Sequence, residues 1–370
     1  MRVRTAVAGI EPHDPPLAGK IPYAPDRLTA SLHGRRSRMA EGDRLIRLCR
    51  IQTLPELART VFPGTAAESI LDFQRLAVRE LARELIDLIT CMSGPGARLL
   101  YWLLIRFQIE NLKVLIRMRL SGRPETAQVY LVPLPKGLTL DVRGLSAAES
   151  FNDFIDCTPK GLLREALKRA SEIYPVRTSP FFFEAMLDRD YFQVLLEAVE
   201  EIREQDKDVA KPMFLQEVDT FLLMLLLRGK YFYGLDRETL LPLHVRGTRI
   251  PRALFATMLD DQDLRESVER VAQSVFDVPP FQGTTSVGSS APAIDAAALE
   301  HLAWKRFGRL ANLAFRKSHI GLAAVLGYAG IRRLEVANLV TLSEGIQKAM
   351  TAEAIRDRLI AHWDSEALSV

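Results

Sequence analysis

The chain has 370 residues, 48% of them hydrophobic and 26% charged, with a formal net charge of +3. At this length two or three packed units are expected rather than one core, and so small a charge excess argues against a nucleic-acid binder, whose affinity rests on neutralising phosphates. The three cysteines, Cys49, Cys91 and Cys157, are scattered and form no Cys-x-x-Cys pair; they make neither a disulfide framework nor a zinc cluster and fit a reducing cytoplasmic setting.

The first 25 residues contain Pro12, Pro15, Pro16, Pro22 and Pro25 and little helical periodicity, so they read as an extended, mobile leader. The opening residues lack the apolar stretch of a secretory signal, and export is not expected. From about Asp26 onward, apolar positions recur three and four apart between short Pro/Gly stops. That pattern predicts an all-α chain. Arg35, Arg36, Arg38, Arg44, Arg47 and Arg50 make the first helical region basic, which reads as a solvated face or a surface for an acidic partner. Ser93-Gly-Pro-Gly is a helix-breaking turn rather than a phosphate loop, and no nucleotide-binding Gly-x-x-x-x-Gly-Lys-Ser/Thr motif is present.

Three segments resemble one another: Gln108-Ile-Glu-Asn-Leu, Asp219-Thr-Phe-Leu-Leu and Glu335-Val-Ala-Asn-Leu. Aligned on Leu112, Leu223 and Leu339 they recur at intervals of 111 and 116 residues, near one third of the chain. Each is preceded by an early helix with a similar ending, at Ala58-Arg-Thr-Val-Phe-Pro, Phe154-Ile-Asp-Cys-Thr-Pro and Ala272-Gln-Ser-Val-Phe-Asp. The expectation is three related helical domains over residues 26–142, 143–252 and 253–370, the last interrupted by a flexible small-residue loop at 279–293.

Within the first copy Arg106, Glu110, Lys113 and Arg117 fall on one helix face, where Arg106 and Glu110 can pair. The stripe reads as a solvated face or as a polar face turned to a partner. Glu217, Asp219 and Arg228 bracket the apolar helix of the second copy. Asp260, Asp261 and Asp263 resemble, one residue short, the Asp-Asp-x-x-Asp box that holds magnesium diphosphate in helical isoprenoid synthases; helix capping is the favoured reading. The histidines, His319 among them, show no pairing with a carboxylate at metal-ligand spacing, and no cofactor or metal is expected. The apolar runs Phe221 to Leu227 and Ile320 to Ile331 are too short to cross a bilayer and read as buried core helices.

The run from Tyr328 to Arg356 carries Glu335, Asn338, Leu339, Gly345, Glu353 and Ile355 in register. Together with Glu184-Ala-Met-Leu-Asp-Arg-Asp-Tyr-Phe, Asp219, the Leu-Leu-Arg-Gly-Lys segment ending at Lys230, and Glu110-Asn-Leu-Lys with Arg117, it resembles the C subunit of archaeal and bacterial V-type ATPases, the counterpart of the eukaryotic d subunit. The resemblance runs from about Asp26 to Leu359. This chain departs from the family pattern with Arg332-Arg333 in place of Lys-Glu, Leu222 in place of Asn and Val340 in place of Arg.

The resemblance implies a funnel of three helical domains with approximate three-fold pseudosymmetry, one copy per complex, peripheral on the cytoplasmic face of the membrane. It implies a non-catalytic coupling role between the shaft subunits and the membrane rotor ring of a proton- or sodium-moving machine. Arg106, Glu110, Asn111, Lys113, Arg117, Asp219, Arg228, Lys230, Tyr328, Glu335, Asn338 and Glu344 are then the candidates for motif or rotor contacts. The Tyr328 run is expected to be mainly structural, with Asn338 pinning the last domain and Glu335 or Glu344 less favoured as rotor contacts. The competing readings are a generic helical scaffold and, more remotely, a helical prenyl-diphosphate enzyme built on the three aspartates.

Overall fold

The structure is a computed structural model that describes residues 25–135, 137–174, 179–276, 296–317 and 321–360. The Pro-rich leader up to residue 24, the loop at 279–293 and His319 lie outside the described residues. Among those residues every regular element is helical, so the chain is all-α. Short helices α1 (Pro25–Arg36), α2 (Gly42–Leu48) and α3 (Leu54–Val61) lead into a long hairpin of α4 (Ile70–Thr90) and α5 (Gly94–Leu120). After a 3-10 stretch at Pro124–Tyr130 come α6 (Val142–Ala147), α7 (Phe151–Cys157) and α8 (Leu162–Ile173), then a second hairpin of α9 (Pro180–Glu200) and α10 (Glu204–Leu226). A π-helical turn at Leu227–Phe232 follows, with α11 (Arg237–Leu240), a 3-10 turn at Leu241–Leu243, α12 (Arg252–Asp260) and α13 (Leu264–Phe276). The third hairpin is α14 (Ala296–Lys317) and α15 (Leu322–Gln347), and α16 (Ala352–Arg356) follows it.

Local chemistry sets the hairpin ends. Ser69 accepts the Asp72 amide at 3.1 Å to open α4, and Ser179 followed by Pro180 opens α9, both standard N-terminal signals. Between α4 and α5 the chain reverses at Ser93-Gly94-Pro95, where Gly94 takes φ +63°. The similar sequences that precede each long hairpin all fall at helix ends: α3 stops at Val61, α7 at Cys157 and α13 at Phe276.

The six long helices touch in a closed cycle that follows chain order. Each of α4, α5, α9, α10, α14 and α15 packs on the next, and α15 returns to α4. The tightest crossing is α14 on α15. A Cβ on Gly327 would lie 2.7 Å from the Ala311 carbonyl oxygen, and one on Gly330 would lie 2.9 Å from the Ala311 Cβ, so only glycine admits this backbone approach. One continuous core of buried Leu, Ile, Phe and Ala fills the ring. A second, smaller core joins the early helices to the last ones described, with Leu45, Leu48, Leu57 and Phe73 packed with Leu339, Leu342 and Ile355. The apolar run of α15 is thus a buried core helix, and no helix among the described residues is long and apolar enough to cross a membrane.

Candidate functional site

Three adjoining chambers of about 400, 220 and 210 Å³ lie among the long helices. They share walls. Asp188, Phe221, Met224 and Arg228 border the first two, and Arg106, Trp304 and Arg333 border the second and third. Five of the six long helices contribute to the 210 Å³ chamber: Leu81 from α4, Phe107 from α5, Tyr191 from α9, Trp304 from α14 and Val336 from α15 are all in its wall.

The wall cations Arg106, Arg117 and Arg333 are each held by a carboxylate of the same chain. Arg106 reaches Asp188 at 2.9 Å and Glu110 at 3.0 Å. Buried Lys113, behind it, meets Asp188 at 2.6 Å and Glu110 at 3.1 Å. Arg117 is bidentate to Glu184 at 2.6 and 2.7 Å, and Arg333 is bidentate to Glu217 at 2.8 and 2.6 Å. The longest pair is Arg228 to Glu300 at 4.0 Å. Aromatic faces complete the setting, with Arg106 over Tyr191 and Phe192 and Arg333 over Phe307 and Trp304. Burial by itself would lower the pKa of Arg106 and Arg333. The carboxylates outweigh it, Asp188 and Glu110 for Arg106 and Glu217 for Arg333, and hold both above the ordinary guanidinium value.

These pairs lie across helix boundaries. Arg106, Lys113 and Arg117 tie α5 to α9, Arg333 to Glu217 ties α15 to α10, and Arg332 to Glu84 at 3.2 Å ties α15 to α4. The stripe on the first copy is therefore neither a bare solvated face nor a row of free charges: α9 carries its complement, Glu184 and Asp188, at the same four-residue spacing. That spacing was the signal available in the sequence for two residues missing from the candidate set.

Of the sequence candidates, Arg106, Glu110, Arg117 and Arg228 line the chambers. The others are placed elsewhere. Asn111 exchanges hydrogen bonds with the backbone of Val132 and Asn338 with that of Ile360. Asp219 is fully buried and accepts from the Arg249 amide at 3.1 Å and guanidinium at 2.6 Å. Lys230 turns inward from the π-helical turn onto the carbonyls of Leu259 and Asp261 at the end of α12. Tyr328 donates to Glu84 at 2.7 Å. Glu335 accepts from the Ala40 amide and the Arg332 guanidinium, both at 2.5 Å, and Glu344 is exposed and outside the chamber walls. Trp304 and Arg333 were missed by sequence reasoning. Trp304 sits with Glu300 and Phe307 at i, i−4 and i+3 on α14, a face that becomes informative only once α15 is known to pack beside it.

The aspartate group behaves as capping chemistry. Asp261 accepts the Asp263 amide and the Ser267 hydroxyl, Asp263 accepts the Glu266 amide at the start of α13, and Asp260 pairs with Arg237. Among the described residues no group of three or more His, Cys, Asp or Glu is placed to hold a metal. In the opening basic region, Arg36 is drawn into the fold, donating to Asn312 at 2.6 Å and lying over Phe315.

The long helices form a closed cycle of three hairpins tied together by ionic seams. The chain belongs to the ATP synthase (C/AC39) subunit family, which matches residues 28–358. It is 25% identical over 312 residues to the C subunit of the A-type ATP synthase of Methanosarcina barkeri, covering 82% of this chain and 80% of that protein. It is 24% identical over 318 residues to the C subunit of the A-type ATP synthase of Methanosarcina mazei, with the same coverage. Both relatives are subunits of a larger assembly, and no catalytic family is indicated for this chain.

Proposed function

We propose that the chain is a non-catalytic central-stalk subunit of a rotary ATPase, seating the end of the central shaft and meeting the membrane rotor ring with its opposite side. The family match over residues 28–358 carries this reading, and the closed cycle of six long helices supports it. A part that passes torque must resist shear between its helices, and both close packing and ionic seams do that. Family membership supplies the machine: ATP hydrolysis or synthesis takes place on other subunits, and this one couples it to proton or sodium movement at the ring. The protein would then lie at the cytoplasmic face of the membrane, held there through the ring.

On the same reading the chain is three related helical thirds arranged as a funnel with approximate three-fold pseudosymmetry. Two sets of aligned positions support it. Gln108, Asp219 and Glu335 are all buried and each hydrogen-bonds a backbone group outside its own helix. The early helices of each third also end at the aligned sequences.

Affinity purification of the tagged chain from its native membranes tests the proposal. Shaft and ring subunits of the rotary complex are expected in the eluate in fixed stoichiometry. Their consistent absence, with the tagged chain folded, would sink it.

A further inference from the structure

The three seams between hairpins are built differently. Where α15 closes onto α4, Phe73 packs with Leu339 and Leu342 in the second core, and Arg332, only 8% exposed, ties the two helices through Glu84. Where α10 meets α15, a Cβ on Gly330 would stand 3.0 Å from the Met213 Sδ, so these helices are in close contact. The α5 and α9 seam carries instead an ionic ladder along the length of α5. Arg98 reaches Glu201, the C-cap of α9, at 2.9 Å, Arg106 and Lys113 reach Asp188 at 2.9 and 2.6 Å, and Arg117 reaches Glu184 at 2.6 Å. All four cations stand on α5 and all three carboxylates on α9 or its cap. Arg117 and Glu201 are more than half exposed.

Two further observations set this seam apart. The ladder borders unfilled space: Arg117, Glu184 and Asp188 are in the wall of the 400 Å³ chamber, Arg106 and Asp188 in that of the 220 Å³ chamber, and Arg106 and Glu110 in that of the 210 Å³ chamber. Movement of α9 along or away from α5 therefore has room on that side. Glu110, on α5 itself, also holds Arg106 at 3.0 Å and Lys113 at 3.1 Å. If Asp188 leaves with α9, neither cation is stranded without a carboxylate, which removes the main cost of parting a half-buried ion pair.

We propose that the cycle of long helices opens and recloses at the α5 and α9 seam, with the ionic ladder as its latch and the α4 to α15 and α10 to α15 seams as the fixed part. Closed, α9 supplies the second carboxylate to Arg106 and Lys113; open, Glu110 keeps both. The latch is a property of the chain alone, so its failure leaves the central-stalk reading untouched. Screening by salt weakens exposed pairs such as Arg117 to Glu184 and leaves apolar contacts in place, so salt is the variable that separates this seam from the other two.

Distances between paired spin labels on the full-length chain test this, in a background carrying Cys49→Ala, Cys91→Ala and Cys157→Ala. One pair, Ser121→Cys with Glu197→Cys, spans the α5 and α9 seam from exposed positions; the other, Arg83→Cys with Gln347→Cys, spans α4 and α15 from exposed positions. Between roughly 0.1 M and 1 M salt, over which the screening length shortens from about 10 to about 3 Å, a second, longer distance is expected across α5 and α9 while the α4 to α15 distance stays single. Glu184→Gln with Asp188→Asn is expected to bring out the same longer distance already at low salt, with circular dichroism showing that the helices are intact. An α5 to α9 distance that ignores salt overturns the latch, as does lengthening of both label pairs together. The salt series on the unaltered ladder decides the matter even if the double variant does not fold.

Discussion

Asn111 and Asn338 hold their chains in the same way: each side-chain amide donates to the carbonyl and accepts from the amide of one backbone residue further along the chain. For Asn111 that residue is Val132, at 2.8 Å in both directions. For Asn338 it is Ile360, at 3.3 and 2.8 Å. Each long helix is thereby clasped to the segment that leaves its own hairpin. Replacing either asparagine by alanine strands a backbone donor and acceptor, and a loss of about 1–3 kcal/mol is expected. Asn338→Asp keeps the acceptor but sets a second carboxylate oxygen against the Ile360 carbonyl in a fully buried site, so its urea midpoint should fall at least as far as that of Asn338→Ala. A midpoint for Asn338→Ala equal to wild type would refute the clasp.

The all-α fold and the helix ends were legible in the sequence because period, caps and Pro/Gly stops are local. Asp263, read as a cap, is a cap. What escaped the sequence is what one helix presents to another. The Arg106 to Arg117 face was visible as a stripe, but its complement, Glu184 and Asp188, is some 70 to 80 residues away on α9, and periodicity along one helix carries no information about which face of another it meets. Leu222 illustrates the converse. Aligned in sequence with Asn111 and Asn338, it is fully buried, an apolar side chain standing where the other two segments have asparagine.

The α14 and α15 crossing gives a steric prediction. A methyl group at Gly327 meets Phe315 and Ala311 backbone, which flexible side chains cannot relieve, so Gly327→Ala should cost about 3 kcal/mol or more. Gly34, in α1, has nothing within 4 Å of an added Cβ; Gly34→Ala should be neutral or stabilise by up to about 1 kcal/mol through helix propensity. Thermal unfolding of the two variants side by side checks the contrast, and equal effects would contradict the close approach.

Burial ranks the ionic contacts. Asp219 is fully buried and is the anchor for Arg249, which also donates to the Val275 carbonyl at 2.5 Å. Asp219→Ala leaves that guanidinium without its carboxylate and is expected to cost about 3–5 kcal/mol. Arg117 is half exposed, so breaking its bidentate pair with Glu184 should cost only about 1 kcal/mol. Exchanging the two, Arg117→Glu with Glu184→Arg, should recover most of that loss. A double-mutant cycle by denaturant titration measures both pairs, and an Asp219 effect as small as that of Glu184 would contradict the ranking.

His244 supplies a pH dependence with a fixed sign. The ring is buried, its Nε2 lies 2.9 Å from the Ile250 carbonyl oxygen, and its Nδ1 has no hydrogen-bond partner. Burial disfavours the imidazolium, with Arg252 and Arg189 adding to the effect, so the folded-state pKa lies below the ordinary value of 6.5. In the unfolded chain the ring takes up its proton near that ordinary value, while the folded protein does not. The unfolded state binds more protons below it, so the stabilising contribution is complete above 6.5 and is lost as pH falls toward the depressed folded-state pKa. Unfolding free energy measured from about pH 8 down to about pH 5 should therefore decline more steeply for wild type than for His244→Gln, whose side chain does not titrate in that range. Parallel curves would mean that His244 is protonated as readily inside the fold as outside it.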